Sequence, residues 1–290
     1  SQQDYVDALD DTFYALEEPR QGKSFPSYYN TNKFLSENNI TVTLSGDGGD
    51  ELFAGYKHHM NPDWKTNMVR LCGKNKTLKN DELSCTVDDL FDYLYEWLPT
   101  TPMTGDKLND FLYTESLTSL AEDFFVRNDK LGMAFSMEGR FPYMNKTIRD
   151  YVRGIPGKKK TQKLFFTQPL IYNKNLQKKA YKGKLPNYVI THPKTGWRYP
   201  TDEILIGRMD QPANDRGVLK DFIIETLNDK ELMDIFEYDM NDIEDRYLNN
   251  RDFVLNARNK EKAGPGLLAQ KELFLILNFA VWKKVFKVSI

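Results

Sequence analysis

The residues best suited to chemistry form the glycine-rich stretch 45–51, which reads Ser-Gly-Asp-Gly-Gly-Asp-Glu. Its three glycines can take backbone conformations closed to other residues and can approach a ligand closely. The stretch therefore suits a turn that gathers Asp47 and Asp50 around a bound molecule. An ordinary connection fits equally well, with an aspartate capping the next helix and Glu51 favouring the positive end of that helix. Spacing alone leaves both interpretations open.

The elements around this stretch must place it at the end of a strand. The apolar and β-branched run at residues 40–44 predicts one buried strand, and the acids and apolar residues after Gly49 predict a helix. Strand, turn and helix in this order put the turn at the carboxyl end of the strand.

Helices dominate the rest of the sequence-based prediction. Apolar residues recur at helical spacing in several segments, namely 5–16, 27–35, 68–71, 86–98, 108–113, 117–125, 218–248 and 267–286. The last segment is apolar nearly all round, which is typical of a buried helix. Residues 61–80 are polar and suit an exposed arm. No internal repeat and no low-complexity linker demands a second independent domain.

Two further charged features have alternative interpretations. Glu138 and Arg140 stand among apolar residues, where charges need partners, so they suit either a structural pair or a binding site. The lysine-rich run 158–184 suits either a solvated helix face or an anion site, with phosphate or pyrophosphate as the natural ligand.

The composition indicates which kinds of partner and which cellular compartment to expect. The net charge is -2 and the pI is about 6.0, which gives no global attraction to nucleic acid or to an anionic membrane. No apolar stretch is long enough to span a bilayer. Cys72 and Cys85 form no metal or disulfide pattern, and His58, His59 and His192 lack zinc-binding spacing. We expect a cytoplasmic protein without a histidine metal site.

Residues 44–56, from the strand end through the glycine turn, closely resemble the signature of the synthetase domain of glutamine-hydrolysing asparagine synthetases. Shorter motifs follow in that family's order, namely 17–19, 129–134, 138–142, 174–180, 185–186, 194–196 and the helix of Trp282. The long motif is highly specific, and the short ones extend the resemblance over nearly the whole chain.

The resemblance implies an α/β fold of the adenine nucleotide alpha hydrolase type, a parallel sheet with flanking helices. It implies an ATP-dependent ligase of the pyrophosphatase-loop class that adenylates aspartate, releases pyrophosphate and admits ammonia from a glutaminase domain. The chain then reads as a partial, mostly α-helical domain. Residues 1–60 are the remnant of the nucleotide-binding part, and residues 61–290 are its largely helical C-terminal part.

The same resemblance assigns roles to individual residues. Asp47 takes the catalytic position beside the reacting carbonyl, Lys174 neutralises the departing pyrophosphate, and Asp50 binds Mg²⁺. The substrate and pyrophosphate contacts fall on Ser45, Gly46, Gly48, Gly49, Glu138 and Arg140. The implied cofactors are Mg²⁺ and ATP.

Departures from the family pattern limit these expectations. The ATP-gripping Ser-Gly-Gly-x-Asp-Ser run is absent from these residues, so the ATP site is incomplete and we expect no activity from the chain alone. Asn145 replaces the usual aspartate, and Lys178 replaces an arginine. A related ligase with another acceptor, or a non-catalytic helical interaction module, therefore stays an alternative. A homodimer or helix cover would protect a partial sheet.

Overall fold

The computed structural model describes residues 1–20, 22–60, 104–161, 173–192, 204, 218–236 and 270–289. Its α-helices are α1 (Gln2–Asp7), α2 (Leu9–Leu16), α3 (Phe25–Glu37), α4 (Gly49–Phe53), α5 (Lys107–Leu117), α6 (Val126–Met133), α7 (Lys146–Arg153), α8 (Gly157–Lys160), α9 (Asn175–Tyr181), α10 (Asn187–Thr191), α11 (Lys220–Leu227), α12 (Lys230–Phe236) and α13 (Gln270–Phe286). Short 3-10 turns cover Lys57–Met60 and Pro142–Met144, and a π-helix covers Ser119–Phe125. The predicted arm, the predicted helices at 68–71 and 86–98, and both cysteines lie outside the described residues.

A two-stranded parallel sheet connects the site loop to the second half of the chain. Strand β1 (Val42–Leu44) pairs with β2 (Glu138–Arg140), with Val42 opposite Glu138 and Leu44 opposite Arg140. Parallel pairing requires a long crossover, and here it carries α4, α5 and α6. The parallel pairing and the largely helical remainder agree with a partial α/β domain.

Strand β1 is not buried, contrary to the sequence-based prediction. Leu44 is 73% exposed and Val42 is 40% exposed, while Thr43 between them is half-buried. Apolar character predicted burial, but burial of a parallel strand requires layers on both faces. Within the described residues those layers do not cover Val42 and Leu44.

The main core forms where the first helices meet the last ones. Helix α2 begins with Asp10 and Asp11 in its first turn, where acids favour the helix dipole, and ends at Glu17 with a left-handed φ of 63°. Its apolar face packs against α13. The buried residues of this core include Phe13, Leu16, Phe25, Leu131, Ile223, Leu227, Phe236, Phe274, Ile276 and Leu277. The helical spacing predicted at 5–16 and 267–286 is therefore confirmed for the described parts of both segments, although a break after Asp7 divides the first into two helices.

A second, smaller apolar cluster lies under the site loop. Leu52 and Phe53 of α4 pack with Val152 of α7, and Tyr143 and Met144 border them. This cluster connects the loop helix to the segment after β2. Among the described helices, none is both long and apolar enough to cross a membrane.

Candidate functional site

The glycine loop lies at the carboxyl end of β1, as predicted. Its first residue continues the parallel ladder, because the Ser45 N–H donates to the carbonyl oxygen of Arg140 at 2.8 Å. The Gly49 N–H then donates to the Gly46 carbonyl at 3.2 Å, which closes the turn before α4. In parallel sheets this end of the strands is where ligands bind.

Two glycines of the loop lie close to the side chains of the segment after β2. Gly48 has a φ of 84°, and a Cβ atom there would lie 2.4 Å from the Cε atom of Met144. A Cβ on Gly49 would lie 3.1 Å from the Tyr143 ring. A larger residue at Gly48 would therefore combine backbone strain with a steric clash.

The carboxylate of Asp47 is held in place by two neutral donors. The Ser45 hydroxyl donates to Asp47 Oδ2 at 2.7 Å, and Asn128 Nδ2 donates to the same oxygen at 2.6 Å. Asn128 is itself fixed on α6 by a 3.0 Å hydrogen bond to the Phe124 carbonyl. Sequence reasoning missed Asn128, although its position directly before the 129–134 motif could have indicated it.

Asp50 and Lys174 form an ion pair across 124 positions of sequence. The Lys174 Nζ atom lies 3.0 Å from Asp50 Oδ1, and both side chains keep some exposure, 24% and 15% respectively. Next to Lys174 in sequence, Asn173 donates to the Gly55 carbonyl at 2.6 Å, which connects this segment to the end of α4. The structure thus brings together the two residues predicted to bind metal and to neutralise pyrophosphate.

Gly55 makes room for this ion pair. A Cβ atom at Gly55 would lie 1.6 Å from Asp50 Oδ1 and 2.5 Å from Lys174 Cε. The sequence showed Gly55 only as part of the signature, with no separate role. Its role is steric, and only the packing of α4 against the start of α9 reveals it.

Glu51 is buried beside these residues, with 3% exposure. The pKa of Glu51 is raised to about 7, mainly by burial, with smaller contributions from the charges of Asp50 and Glu115 that oppose the hydrogen bonds from its own backbone and Tyr56. Burial likewise raises the pKa of the Tyr56 hydroxyl above its usual range. The sequence predicted only that Glu51 would interact with the positive end of its helix, because the burial of a single acidic residue cannot be predicted from its type.

His58, His59 and Glu115 form a compact cluster behind the loop, with their ligand atoms within 4.8 Å of one another. His58 Nε2 lies 2.5 Å from Glu115 Oε1, and His59 Nε2 bonds to Oε2. Burial would raise the pKa of Glu115, but the two histidine hydrogen bonds lower it to about 2.

The orientation of His59 favours a structural hydrogen bond to Glu115 over a metal site. The Tyr56 N–H donates to His59 Nδ1 at 3.2 Å, so the neutral ring carries its proton on Nε2, facing Glu115. A metal-bound histidine has the opposite arrangement, since its second nitrogen donates. Sequence reasoning considered only histidine spacing and missed Glu115.

Glu138 and Arg140 are exposed rather than held in apolar surroundings. Arg140 Nε donates to Glu138 Oε1 at 2.9 Å, and the side chains are 59% and 61% exposed. Alternation along β2 turns both to the same side, whereas the apolar neighbour Met137 is buried. The expected apolar environment is therefore wrong, and Arg140 meets the loop through its backbone carbonyl.

The structure shows the contacts of Asn145 and Lys178, the two residues that depart from the family pattern. Asn145 caps α7, since its Oδ1 accepts the Thr147 N–H at 3.0 Å. Lys178 follows Lys174 by one helical turn, and burial together with the Lys174 charge lowers the pKa of Lys178. Asn145 thus has a structural task that an aspartate could also perform.

Comparisons with known proteins identify the family of this chain. The family model described as asparagine synthase matches residues 1–284. The chain is similar to glutamine-hydrolysing asparagine synthetase 1 of Bacillus subtilis strain 168, with 22% identity over 283 residues, covering 79% of this chain and 43% of the relative. It is similar to asparagine synthetase 3 of the same strain, with 23% identity over 253 residues, covering 81% and 38%. The chain thus spans less than half the length of these relatives, and it belongs to the asparagine synthase family.

Proposed function

We propose that this chain is the C-terminal part of an ATP-dependent ligase that forms an amide, in the manner of the asparagine synthetases it resembles. The proposed reaction activates the side-chain carboxylate of aspartate with ATP, releases pyrophosphate and transfers ammonia derived from glutamine. This chain would supply the pyrophosphate and Mg²⁺ side of the site. The remaining ATP contacts and the glutaminase would come from polypeptide outside residues 1–290.

The contact between Asp50 and Lys174 carries this proposal. The 3.0 Å contact holds a carboxylate and an ammonium close to one another, and both side chains are partly exposed to solvent. Ion pairing favours the charged form of each group. Mg²⁺ bound to pyrophosphate presents a cation and an anion in a similar arrangement. Asp50 can turn to the cation while Lys174 turns to a phosphate oxygen.

The surroundings of Asp50 suit Mg²⁺ as part of a phosphate complex. Mg²⁺ commonly uses one or two carboxylates and takes its other ligands from phosphates and water. Asp50 supplies one such carboxylate, and the described residues place no three-carboxylate cage around it. When bound, the ion would offset charge on the leaving pyrophosphate.

Asp47 suits a role beside the incoming amine. Its Oδ2 atom already accepts two hydrogen bonds, from Ser45 and Asn128, which fix the direction of the carboxylate. Within the described residues no hydrogen bond to Oδ1 is found, so we assign to this oxygen the orientation of ammonia or the acceptance of a proton from it. Ser45 and Asn128 thus position the Asp47 carboxylate.

Binding of Mg²⁺ pyrophosphate to the purified chain tests the proposal. Asp50→Asn and Lys174→Met each remove one charged contact, so we expect about 10-fold to 100-fold weaker binding in isothermal titration calorimetry. Lys182→Met is the matched control, because Lys182 is exposed in the same helical region. The proposed roles fail if the wild-type chain does not bind the ligand, or if both variants bind as it does.

Activity provides a second test once the chain is joined to the rest of its synthetase. We expect aspartate-dependent and ammonia-dependent release of pyrophosphate from ATP, abolished by Asp50→Ala and unaffected by Lys182→Met. Unchanged turnover in the Asp50→Ala variant would refute the metal role of Asp50. Amide formation with another acceptor in place of aspartate would favour a divergent ligase.

A further inference from the structure

Most of a strongly basic segment has no part in the proposed ligase site. Residues 151–201 contain ten lysines, two arginines and no aspartate or glutamate, although the whole chain has a net charge of -2. The acidic excess therefore lies elsewhere in the sequence. Charges more than about 10 Å away are largely screened at roughly 0.1 M salt, so a local basic surface attracts anions even on a slightly acidic protein.

The described parts of this segment form three adjoining helices, α8, α9 and α10. Helices α8 and α9 pack together, and Asn175 Nδ2 donates to the Lys159 carbonyl at 3.3 Å. A tight turn over residues 182–186 follows α9, where the Lys184 N–H donates to the Tyr181 carbonyl at 2.9 Å. We call α8, α9, α10 and this turn the basic surface.

The lysines of the basic surface carry uncompensated charge. Five of them are exposed, namely Lys158, Lys159, Lys179, Lys182 and Lys184. Among the described residues, none of these five side chains forms an ion pair with a carboxylate. Lys174, just before α9, differs from them because it is paired with Asp50. The five exposed ammonium groups are therefore available to an external anion.

A single pyrophosphate does not account for this distribution of charge. Lys174 stands before the first turn of α9, whereas Lys182 and Lys184 follow its last turn. A helix of seven residues is about 10 Å long at 1.5 Å per residue. A ligand that contacts the lysines of α8 and of the turn must therefore be extended and carry several negative charges.

Exposed tyrosines among the lysines narrow the class of this ligand. Tyr188 is 72% exposed and Tyr181 is 39% exposed, and exposed aromatic rings beside basic residues suit stacking on the bases of a single strand. Helices α9 and α10 have seven and five residues, too few to present the continuous apolar face of a helix that lies on a bilayer. The surface therefore favours nucleic acid over an anionic lipid surface.

We propose that the basic surface binds single-stranded nucleic acid, with its exposed lysines on the phosphates and Tyr188 stacked on a base. Lysine contacts to phosphates carry no sequence information, so the binding is independent of sequence. This inference goes beyond the proposed ligase function and does not depend on it.

Fluorescence anisotropy of the purified chain with a labelled oligouridylate of about 20 nucleotides tests the proposal. Each phosphate contact of a single strand contributes about -0.7 to the slope of log affinity against log salt, so five lysines predict a slope of about -3.5. We expect about 100-fold weaker binding at roughly 200 mM salt than at roughly 50 mM. Absence of saturable binding at the lower salt would overturn the proposal.

Matched lysine variants locate the binding surface. Lys179→Gln combined with Lys184→Gln should weaken binding about 10-fold at roughly 50 mM salt and make the slope shallower by about 1.4. Lys33→Gln combined with Lys230→Gln is the control, because it removes the same charge from exposed positions outside the basic surface. Equal losses in the two double variants would show a general charge effect and overturn the assignment of the surface.

A tyrosine variant separates stacking from charge. Tyr188→Leu removes the ring without changing any charge, so we expect about 5-fold weaker binding of the oligouridylate with an unchanged salt slope. Unchanged affinity in Tyr188→Leu would contradict the stacking contact.

Two competitors without bases separate nucleic acid from other polyanions. Linear inorganic polyphosphate and vesicles of phosphatidylserine should each displace the labelled strand less well than unlabelled oligouridylate does at equal phosphate concentration. Equal or better competition by either would overturn the assignment to nucleic acid.

Discussion

At the scale of single residues, the site is an arrangement of carboxylates with different surroundings. Asp47 accepts neutral donors, Asp50 faces an ammonium, and Glu51 is buried next to a tyrosine. Three acids within five positions therefore have different partners, and burial raises the pKa of Glu51 to about 7. Under the proposed function Asp47 and Asp50 meet ligands, whereas Glu51 is buried in α4.

The buried Glu51 makes stability depend on pH. Because its folded pKa of about 7 is above the usual 4.5, its contribution to stability is full below about pH 4.5 and is lost as pH rises through 7. The loss amounts to about 3 kcal/mol. Glu51→Gln stays neutral, so it should gain stability relative to the wild type between pH 5 and pH 8.

Urea denaturation at both pH values measures this difference. Glu37→Gln is the control, because Glu37 is exposed at the end of α3. Parallel stability curves for the wild type and Glu51→Gln would show that the buried carboxyl does not cause the pH dependence.

At the scale of elements, the site depends on how closely α4 and α9 approach each other. Gly55 permits this approach, and Asn173, just before α9, bonds to the Gly55 carbonyl. The approach depends on the absence of a side chain at Gly55. Addition of a single methyl group at this position therefore tests the approach without removing any charge.

Gly55→Ala should separate Asp50 from Lys174, because its Cβ would occupy the space of the Asp50 carboxylate. We expect at least about 10-fold weaker binding of Mg²⁺ pyrophosphate and a stability loss of about 1–3 kcal/mol. Gly154→Ala is the control, since its Cβ would meet only ordinary contacts near 3.5 Å. Unchanged binding by Gly55→Ala, measured by calorimetry, would contradict this steric role.

At the scale of the whole molecule, the two-stranded sheet exposes a face on which two apolar side chains lie opposite the Glu138 and Arg140 ion pair. Val42 and Leu44 project from β1 to the same side, and neither is buried. Parallel sheets are normally covered on both faces, so this face favours association with another surface. In the isolated chain we expect concentration-dependent self-association.

Leu44→Thr should weaken that self-association without a large loss of stability, because the Leu44 side chain is 73% exposed and threonine suits a strand. Sedimentation velocity over a range of concentrations measures the effect. Tyr188→Thr, at a site that is 72% exposed on α10, is the control. An unchanged association constant in Leu44→Thr would show that β1 is not the contact.

The sequence predicted the loop, its neighbouring elements and the two core helices, because glycine content and apolar spacing are local signals. It gave Asp50 and Lys174 separate roles in one site only through the family resemblance, and it did not predict their 3.0 Å contact. It missed Asn128 and Glu115, which reach the site from α6 and α5. It also expected burial of β1, which depends on neighbours that the residues of one strand do not specify.

The packing of α13 on α2 has a consequence for synthesis on the ribosome. Asn278 donates to the carbonyls of Arg20 and Gly22 at 2.9 Å, and Trp282 donates to the Glu17 carbonyl at 3.1 Å. The partner helix α13 therefore emerges more than 250 residues after α2, as the 258-residue separation of Asn278 and Arg20 shows. Until then Phe13 and Leu16 lack part of their core, so we expect the first helices to complete their packing only after α13 has been synthesised.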